Sequence, residues 1–326
     1  MIESYWIYAI GGIGILLIFF IWSLHRRNNA AFVGIFLLLP LLSSPLWVHI
    51  HQESVHMQTK MHSLPRFLQP DEARVLGADA RGRDVLATTT LALANTFSFS
   101  VVAMGFSIFA GMLLGFLSLH RKKILSGSSE LIFQFIESVP FVFFLMIAMG
   151  VYRQYELVHR LQFTTDQDML FLGIVLGFVS TPLFGRMVQQ NARRELDRSY
   201  VAALHGCGVS VFQIFWRNII RNNLLHRVIV QISVLLNIII LMSTAVDYMF
   251  EIGFGEYGRA GVLTLGRLLA QNREALVFGK ASWAVLPPTF AILISVLGGC
   301  LVMEDPLMKV RRHADRRASG DATHKG

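Results

Sequence analysis

The sequence predicts an all-α integral membrane protein with about seven transmembrane helices, and three observations predict it. Of 326 residues, 54% are hydrophobic and only 15% are charged, a balance outside that of ordinary soluble domains. The apolar residues fall in continuous runs near the ~20 residues that carry a helix across the hydrocarbon layer. None of these runs alternates polar with apolar, as the strands of a membrane barrel do.

The runs lie at roughly 4–24, 31–48, 88–118, 130–151, 168–188, 224–247 and 283–303. The first, within "MIESYWIYAIGGIGILLIFFIWSLHRRNN", has no basic residue ahead of its apolar core and is too long for a signal-peptide core. It reads as a retained helix with the N-terminus external. The third run exceeds one span and is expected to include a lead-in along the membrane surface or an extension beyond it. In the fourth, Pro140 should kink the helix.

Charge sets the expected orientation. "HRRNN", "HRKK" (His120–Lys123), the stretch from Arg186 to Arg227 and the tail from Lys309 hold most of the 29 Lys and Arg. Basic loops stay in the cytoplasm, which places the C-terminus inside. The net charge of +8 is thus a membrane signature, and no zinc-finger or stacked-aromatic pattern adds a nucleic-acid partner. No Walker A, HExxH, GxSxG or CxxC pattern occurs, so the chain is not expected to be an enzyme or to hydrolyse ATP. Cys207 and Cys300 fall in different environments, and a disulfide between them is not expected. No internal repeat argues for inverted symmetry.

The organisation follows. Residues 1–50 hold two N-terminal helices, 51–87 form an external segment, and 88–305 form the spanning core with a cytoplasmic loop at 189–222. Residues 306–326 are expected to be a disordered basic cytoplasmic tail. A second external region at 248–282 is rich in glycine and begins near Asp247, Glu251 and Glu256. Its glycines would let the chain dip back toward the bilayer where protein or water satisfies the backbone.

The cytoplasmic loop contains "SYVAALHGCGVSVFQIFWRNIIRNN". Leu196 to Leu204 can form one helix, with Ala202 and Ala203 as a small close-approach surface. Gly206 and Gly208 permit the backbone that ends it. Ser210 can cap a second helix carrying Val211, Phe212, Phe215 and Ile219 on one face. Such a basic, apolar knob suits a groove on a cytosolic partner, and it equally suits an amphipathic helix resting on lipid headgroups.

That stretch resembles the coupling loop of ABC importer permeases, in the peptide-type version of dipeptide, oligopeptide and nickel importers. The family commonly reads YVEAARALGAS with an R-H-I-L-P-N ending. Tyr200, Val201, Ala203, Gly208, Ser210, Arg217, Ile219 and Asn222 match, whereas Ala202 and Arg221 stand where the family has Glu and Pro. "LGADARGRDVL" (Leu76–Leu86) resembles the LGTDxxGRDVL element of the C-type subunits. "FIESVPFVFF" (Phe135–Phe144) and "FGKASWAVLPPTFAILISVLGG" (Phe278–Gly299) are similar to family counterparts.

The resemblance implies a six-span type I permease core, here with one extra N-terminal helix, in a bacterial inner membrane. It implies a second, B-type permease subunit, two cytosolic ATP-binding subunits and an external solute-binding protein. ATP and Mg²⁺ would be taken by the ATPases, and no cofactor by this chain. The function class it favours is a permease that imports peptides or a related solute. A channel or secondary transporter, and a membrane anchor or assembly subunit, are the alternatives.

Within "LGADARGRDVL", Asp79 can cap a turn while Arg83 and Asp84 pair across Gly82. Asn95 and Ser98 on the third span, Glu137 on the fourth and Asn237 on the sixth are candidates to line a path. Helix–helix hydrogen bonding is the competing role for Asn95, Ser98 and Asn237, and helix-end snorkelling or a structural hydrogen bond for Glu137. His49–His62 gathers four histidines and two methionines, though its spacing matches no closed metal site.

Overall fold

The computed structural model describes residues 29–323 apart from 52–53, 56–57, 60–63, 73, 120–122, 160–164, 197–198, 210–212, 214–224, 251–261 and 279–280. Its elements are helices: α1 (Asn29–Ile50), α2 (Val85–Leu117), α3 (Lys123–Ser138), α4 (Phe141–His159), α5 (Thr165–Leu196), α6 (Ser199–Gly206), α7 (Leu225–Phe250), α8 (Leu265–Gln271), α9 (Arg273–Phe278) and α10 (Ser282–Thr323). Among the described residues, five helices are long and apolar enough to span a membrane: α1, α2, α5, α7 and α10. The bent pair α3–α4 makes a sixth. The expected first span, at 4–24, lies outside the described residues.

Residues that meet across helices define two ends. At one, Ala80 meets Asn272 and Asp84 meets Gln58. At the other, Gly34 approaches Gly298 and Gly115 approaches Val188. The spans therefore alternate in direction, and α6 follows α5 at the end opposite Asp79.

The core is a seam between α2 and α5. Gly173, Gly177 and Gly185 recur at multiples of four along α5, on nearly one face. A methyl group on Gly177 would stand 2.5 Å from the Ala103 carbonyl oxygen, and one on Gly173 would stand 2.7 Å from Val102. In return, a methyl on Gly111 of α2 would stand 2.9 Å from the Gly185 nitrogen. Lipid tails are as apolar as side chains, so helices associate through such close backbone approach. Phe97, Phe99 and Phe184 fill the space beside the seam and are fully buried. Gly34 and Gly298 do the same between α1 and α10.

Proline is accommodated by local repair. Pro45 within α1 cannot donate to the Leu41 carbonyl, and Ser44 Oγ donates to that oxygen instead at 2.7 Å. Pro140 is different. The expected single span at 130–151 is two helices that meet at 92° around Val139–Pro140. The missing proline N–H and the ring's clash with the preceding turn stop α3.

The third run takes the second of its two expected forms, and the tail departs from its expectation. The third run is one continuous helix of 33 residues, about 50 Å long at 1.5 Å per residue, so it extends beyond a bilayer core. The tail at 306–326, expected to be disordered, continues α10 as helix to Thr323. Residues 309–318 contain neither Gly nor Pro, and adding residues to an existing helix avoids the cost of nucleation.

The seam yields a stability prediction. Gly177→Leu forces side-chain atoms onto the α2 backbone and should destabilise the purified protein by about 1–3 kcal/mol, the scale of overpacking. Gly150→Ala, where nothing lies within 4 Å, should leave the melting temperature in detergent unchanged or raised. Equal melting of the two variants would contradict the seam.

Candidate functional site

Two regions hold the sequence-predicted residues, one at each end. The "LGADARGRDVL" element is a tight turn built around Asp79. Oδ1 accepts the backbone N–H groups of Arg81 and Arg83, each at 2.9 Å. Oδ2 accepts Arg83 Nε at 2.8 Å and a terminal guanidinium nitrogen at 2.6 Å. Four donors fill the carboxylate's lone-pair sites, which suits side chains only 1% and 5% exposed. Gly82 has φ +68, and a methyl there would stand 2.1 Å from the Leu64 carbonyl oxygen. Only glycine fits that position.

The expected Arg83–Asp84 pairing is therefore corrected: Arg83 pairs with Asp79. Asp84 is the N-cap of α2 and accepts the Ala87 N–H at 2.9 Å. An ionised carboxylate at a helix N-terminus satisfies an orphan amide and meets the helix dipole. The local competition goes to the cap, which leaves the guanidinium to Asp79.

The turn is strapped to the segment at 262–272. Arg83 donates to Gln271 Oε1 at 2.8 Å, and Asn272 Oδ1 accepts the Ala80 N–H at 3.0 Å. That segment is buried between α2 and α7. Asn95 Nδ2 donates to the Leu263 carbonyl at 3.0 Å, and Leu265 N–H donates to Thr96 Oγ1 at 3.1 Å. Thr264 caps α8 while its hydroxyl donates to Asp247. Gly266 packs so closely that a methyl would stand 2.4 Å from the Thr244 carbonyl oxygen. Over 262–265, protein side chains satisfy the backbone of this buried segment. The glycine-rich part at 253–261, expected to dip toward the bilayer, lies outside the described residues.

The candidates for a path are engaged within the chain. Asn95 binds Leu263 as above, and Ser98 donates back to Ala94 at 2.8 Å. Asn237 donates to the Val296 carbonyl at 3.3 Å, pressed against Gly299 of α10. The Asn237 bond joins α7 to α10, a contact of the kind that holds membrane bundles, whereas Ser98 bonds within its own helix and Asn95 holds the stretch ahead of α8. Glu137 is exposed and binds Arg186 through both carboxylate oxygens, at 3.1 and 2.9 Å.

At the opposite end, α6 closes with Gly208 at φ +79. Val209 N–H donates to the Leu204 carbonyl at 3.1 Å, the six-to-one bond of a glycine-terminated helix, with Leu204 and Val209 packed on the same core. Val201 is buried in that core, and Tyr200 is half-exposed, with its hydroxyl 3.4 Å from Glu195. A methyl at Gly208 meets nothing within 4 Å, so its backbone conformation alone selects glycine. Ala202 and Ala203 lie within α6. Their side chains, together with Ser210, Phe212 and Arg217, lie outside the described residues.

Sequence reading missed Thr264, Gln271 and Asn272, and the trio Glu130, Arg186 and Gln189. Arg186 had a signal, being a lone charge at the end of an apolar run. Its partners, 49 and 56 residues upstream, had none.

Alternating spans, a polar turn buried at one end and a glycine-capped helix set beyond the other define a polytopic helical membrane protein. The chain belongs to the family of binding-protein-dependent transport system inner membrane components, matched over residues 107–304. It is 22% identical over 290 residues to the dipeptide transport system permease protein DppC of Alkalihalophilus pseudofirmus, covering 87% of this chain and 88% of that protein. It is 23% identical over 300 residues to the oligopeptide transport system permease protein OppC of Lactococcus lactis, covering 90% and 92%. A putative peptide permease protein of Brucella ovis is 22% identical over 275 residues, 83% of each. The chain is the multi-pass permease component of an inner-membrane ABC transport system.

The buried turn yields a second prediction. Asp79→Ala leaves the Arg83 guanidinium buried without its counter-charge and should cost about 3–5 kcal/mol. Replacing the pair together, Asp79→Leu with Arg83→Met, should cost less than Asp79→Ala alone. Melting of the purified variants in detergent reads the difference, and a double variant less stable than the single would contradict the pairing.

Proposed function

We propose that this chain is the C-type permease subunit of an ATP-driven importer of peptides or a related small solute. It works with a B-type permease subunit, two cytosolic ATP-binding subunits and an external solute-binding protein. The observation that carries the reading is α6. It is a short helix closed by a left-handed glycine, set at the end of the bundle adjoined by the basic segments. Basic segments are retained in the cytoplasm, so α6 faces an ATPase there and the Asp79 turn faces the binding protein outside. ATP and Mg²⁺ act in the partner subunits. The peptide cargo rests on the names of the relatives, dipeptide and oligopeptide permeases among them.

The geometry gives a mechanical account. A helix held at a fixed angle can seat in a groove and carry a partner's displacement into the span it follows. The buried segment at 262–272 and the Asp79 turn form the opposite mouth. Movement of the spans opens that mouth to one side or closes it.

Two experiments test this. With the C-terminus inside and the N-terminus outside, a reporter after Ser4 should be reached from the external side and one after Lys325 from the cytoplasm. Both ends on one side would overturn the orientation. Gly208→Val should leave membrane insertion intact, lower co-purification of the ATPase subunits and abolish uptake. A side chain at positive φ costs about 1–2 kcal/mol, and a β-branched one more. Wild-type association and uptake in Gly208→Val would leave α6 as a helix resting on lipid.

A further inference from the structure

α3 is held to the bundle on a narrow stripe. Ser129, Phe133 and Ile136 are buried, while Leu131 and Phe135 on its other faces are more than half exposed. The hold on α5 centres on two adjacent residues. Gly185 leaves a notch for the Phe133 ring, where a methyl group would stand 2.4 Å from the ring edge. The Arg186 guanidinium lies 5.2 Å from the centroid of that ring.

The guanidinium also reaches both ends of one α3 face. Nε and one terminal nitrogen take the two oxygens of Glu137, at 3.1 and 2.9 Å, and the other terminal nitrogen takes Glu130. Gln189, one turn on, donates to the second oxygen of Glu130 at 3.1 Å. A planar fork used on all its edges fixes direction as well as distance, which a lysine ammonium does not do. Arg186 thus bridges two carboxylates seven residues apart on α3.

Position gives this arrangement its meaning. Downstream, Arg186 is separated from Leu196, the end of α5, by ten residues, roughly 15 Å of rigid helix, and α6 begins at Ser199. Upstream, Glu137 sits three residues before Pro140, at the 92° break between α3 and α4. The break is the one place where the fourth span can change angle without breaking helix hydrogen bonds. The charged side chains are 27–44% exposed, so one such pair alone would hold weakly, and it is the use of one fork by both carboxylates that holds α3 to α5.

We propose that Arg186, with Glu130 and Glu137, is the joint that passes motion of α6 to the Pro140 break and so to α4. It is a positioning residue for transport: it touches neither ATP nor cargo. The joint locks α3 to α5, so a displacement of α6 turns the elbow instead of sliding past it. This rests on the reading of α6 as the ATPase-docking helix.

The test uses the whole transporter in proteoliposomes, with ATP hydrolysis and solute uptake measured on the same preparation. Arg186→Gln should co-purify the ATPase subunits as wild type does and still hydrolyse ATP, while uptake per ATP falls at least tenfold. Arg186→Lys should fall between the two. Arg186→Glu combined with Glu137→Arg should recover part of the ratio lost in either single reversal. A merely structural role would lower assembly, hydrolysis and uptake together and leave the ratio unchanged, which would overturn the joint. A second readout needs no ATPase: spin labels at Phe135 and Arg194 of the purified chain in nanodiscs. Arg186→Gln should broaden their distance distribution, and an unchanged distribution would overturn the joint. Failure of the wild-type chain to bind any ATPase would overturn the docking reading and this role in transport, while the label distances would still report whether α3 and α5 are locked.

Discussion

The approach of α2 and α5 through bare backbone sets the level of nearly everything else in the bundle. In lipid there is little hydrophobic gain in hiding one apolar side chain behind another, so contact must come from shape. Gly173, Gly177 and Gly185 let α5 lie directly on α2, and the spacing of four leaves no freedom to slide by one residue. Registering α5 against α2 fixes Arg186 beside α3 and Gly115 beside Val188. It also sets where α5 ends, and hence where α6 stands.

A second constraint acts on the backbone. Away from water, each peptide group needs a partner inside the protein, and the non-helical stretch at 262–264 ahead of α8 is held by Asn95 and Thr96, which bond the Leu263 and Leu265 backbone. Two polar side chains on consecutive positions of a spanning helix are costly alone. Here they are the reason an irregular segment can sit between spans. The Asp79 turn follows the same rule: four donors on one carboxylate permit its burial, and the Arg83 link to Gln271 ties it to that segment.

How much of this was legible depended on whether the cause was local. Apolar runs place the starts of α1, α2, α5, α7 and α10 within a few residues, because span length follows from bilayer thickness, while α5 and α10 continue as helix past their apolar runs. Pro140 marks the break in the fourth run, and Gly208 marks left-handed backbone, since both effects are written in single residues. The partner of Arg83 was misread because two carboxylates lie close in sequence. Which one is free depends on where α2 begins, and Asp84 is consumed by that helix start. Arg186 was legible as an oddity but its partners were not, because nothing local brings α3 beneath α5. Asn95 and Asn237 read equally as path or as packing from sequence, and their partners Leu263 and Val296 lie far along the chain.

The two ends of the protein differ in a way that bears on function. At the Asp79 end the Asp79–Arg83 pair is almost wholly buried, so separating it exposes uncompensated charge to a low-dielectric interior. Such a contact is suited to moving as one piece. At the α6 end the charges around Arg186 are partly exposed, and the chain turns through a glycine with open space around it. One guanidinium there bonds two carboxylates at once, which fixes its direction while leaving it open to water. On the proposed docking of α6, the joint beside it would keep its angle and the buried turn would move as one piece. Small displacements of α6 would then reach that mouth as a movement of whole spans, with the turn and its strapped segment carried as a unit.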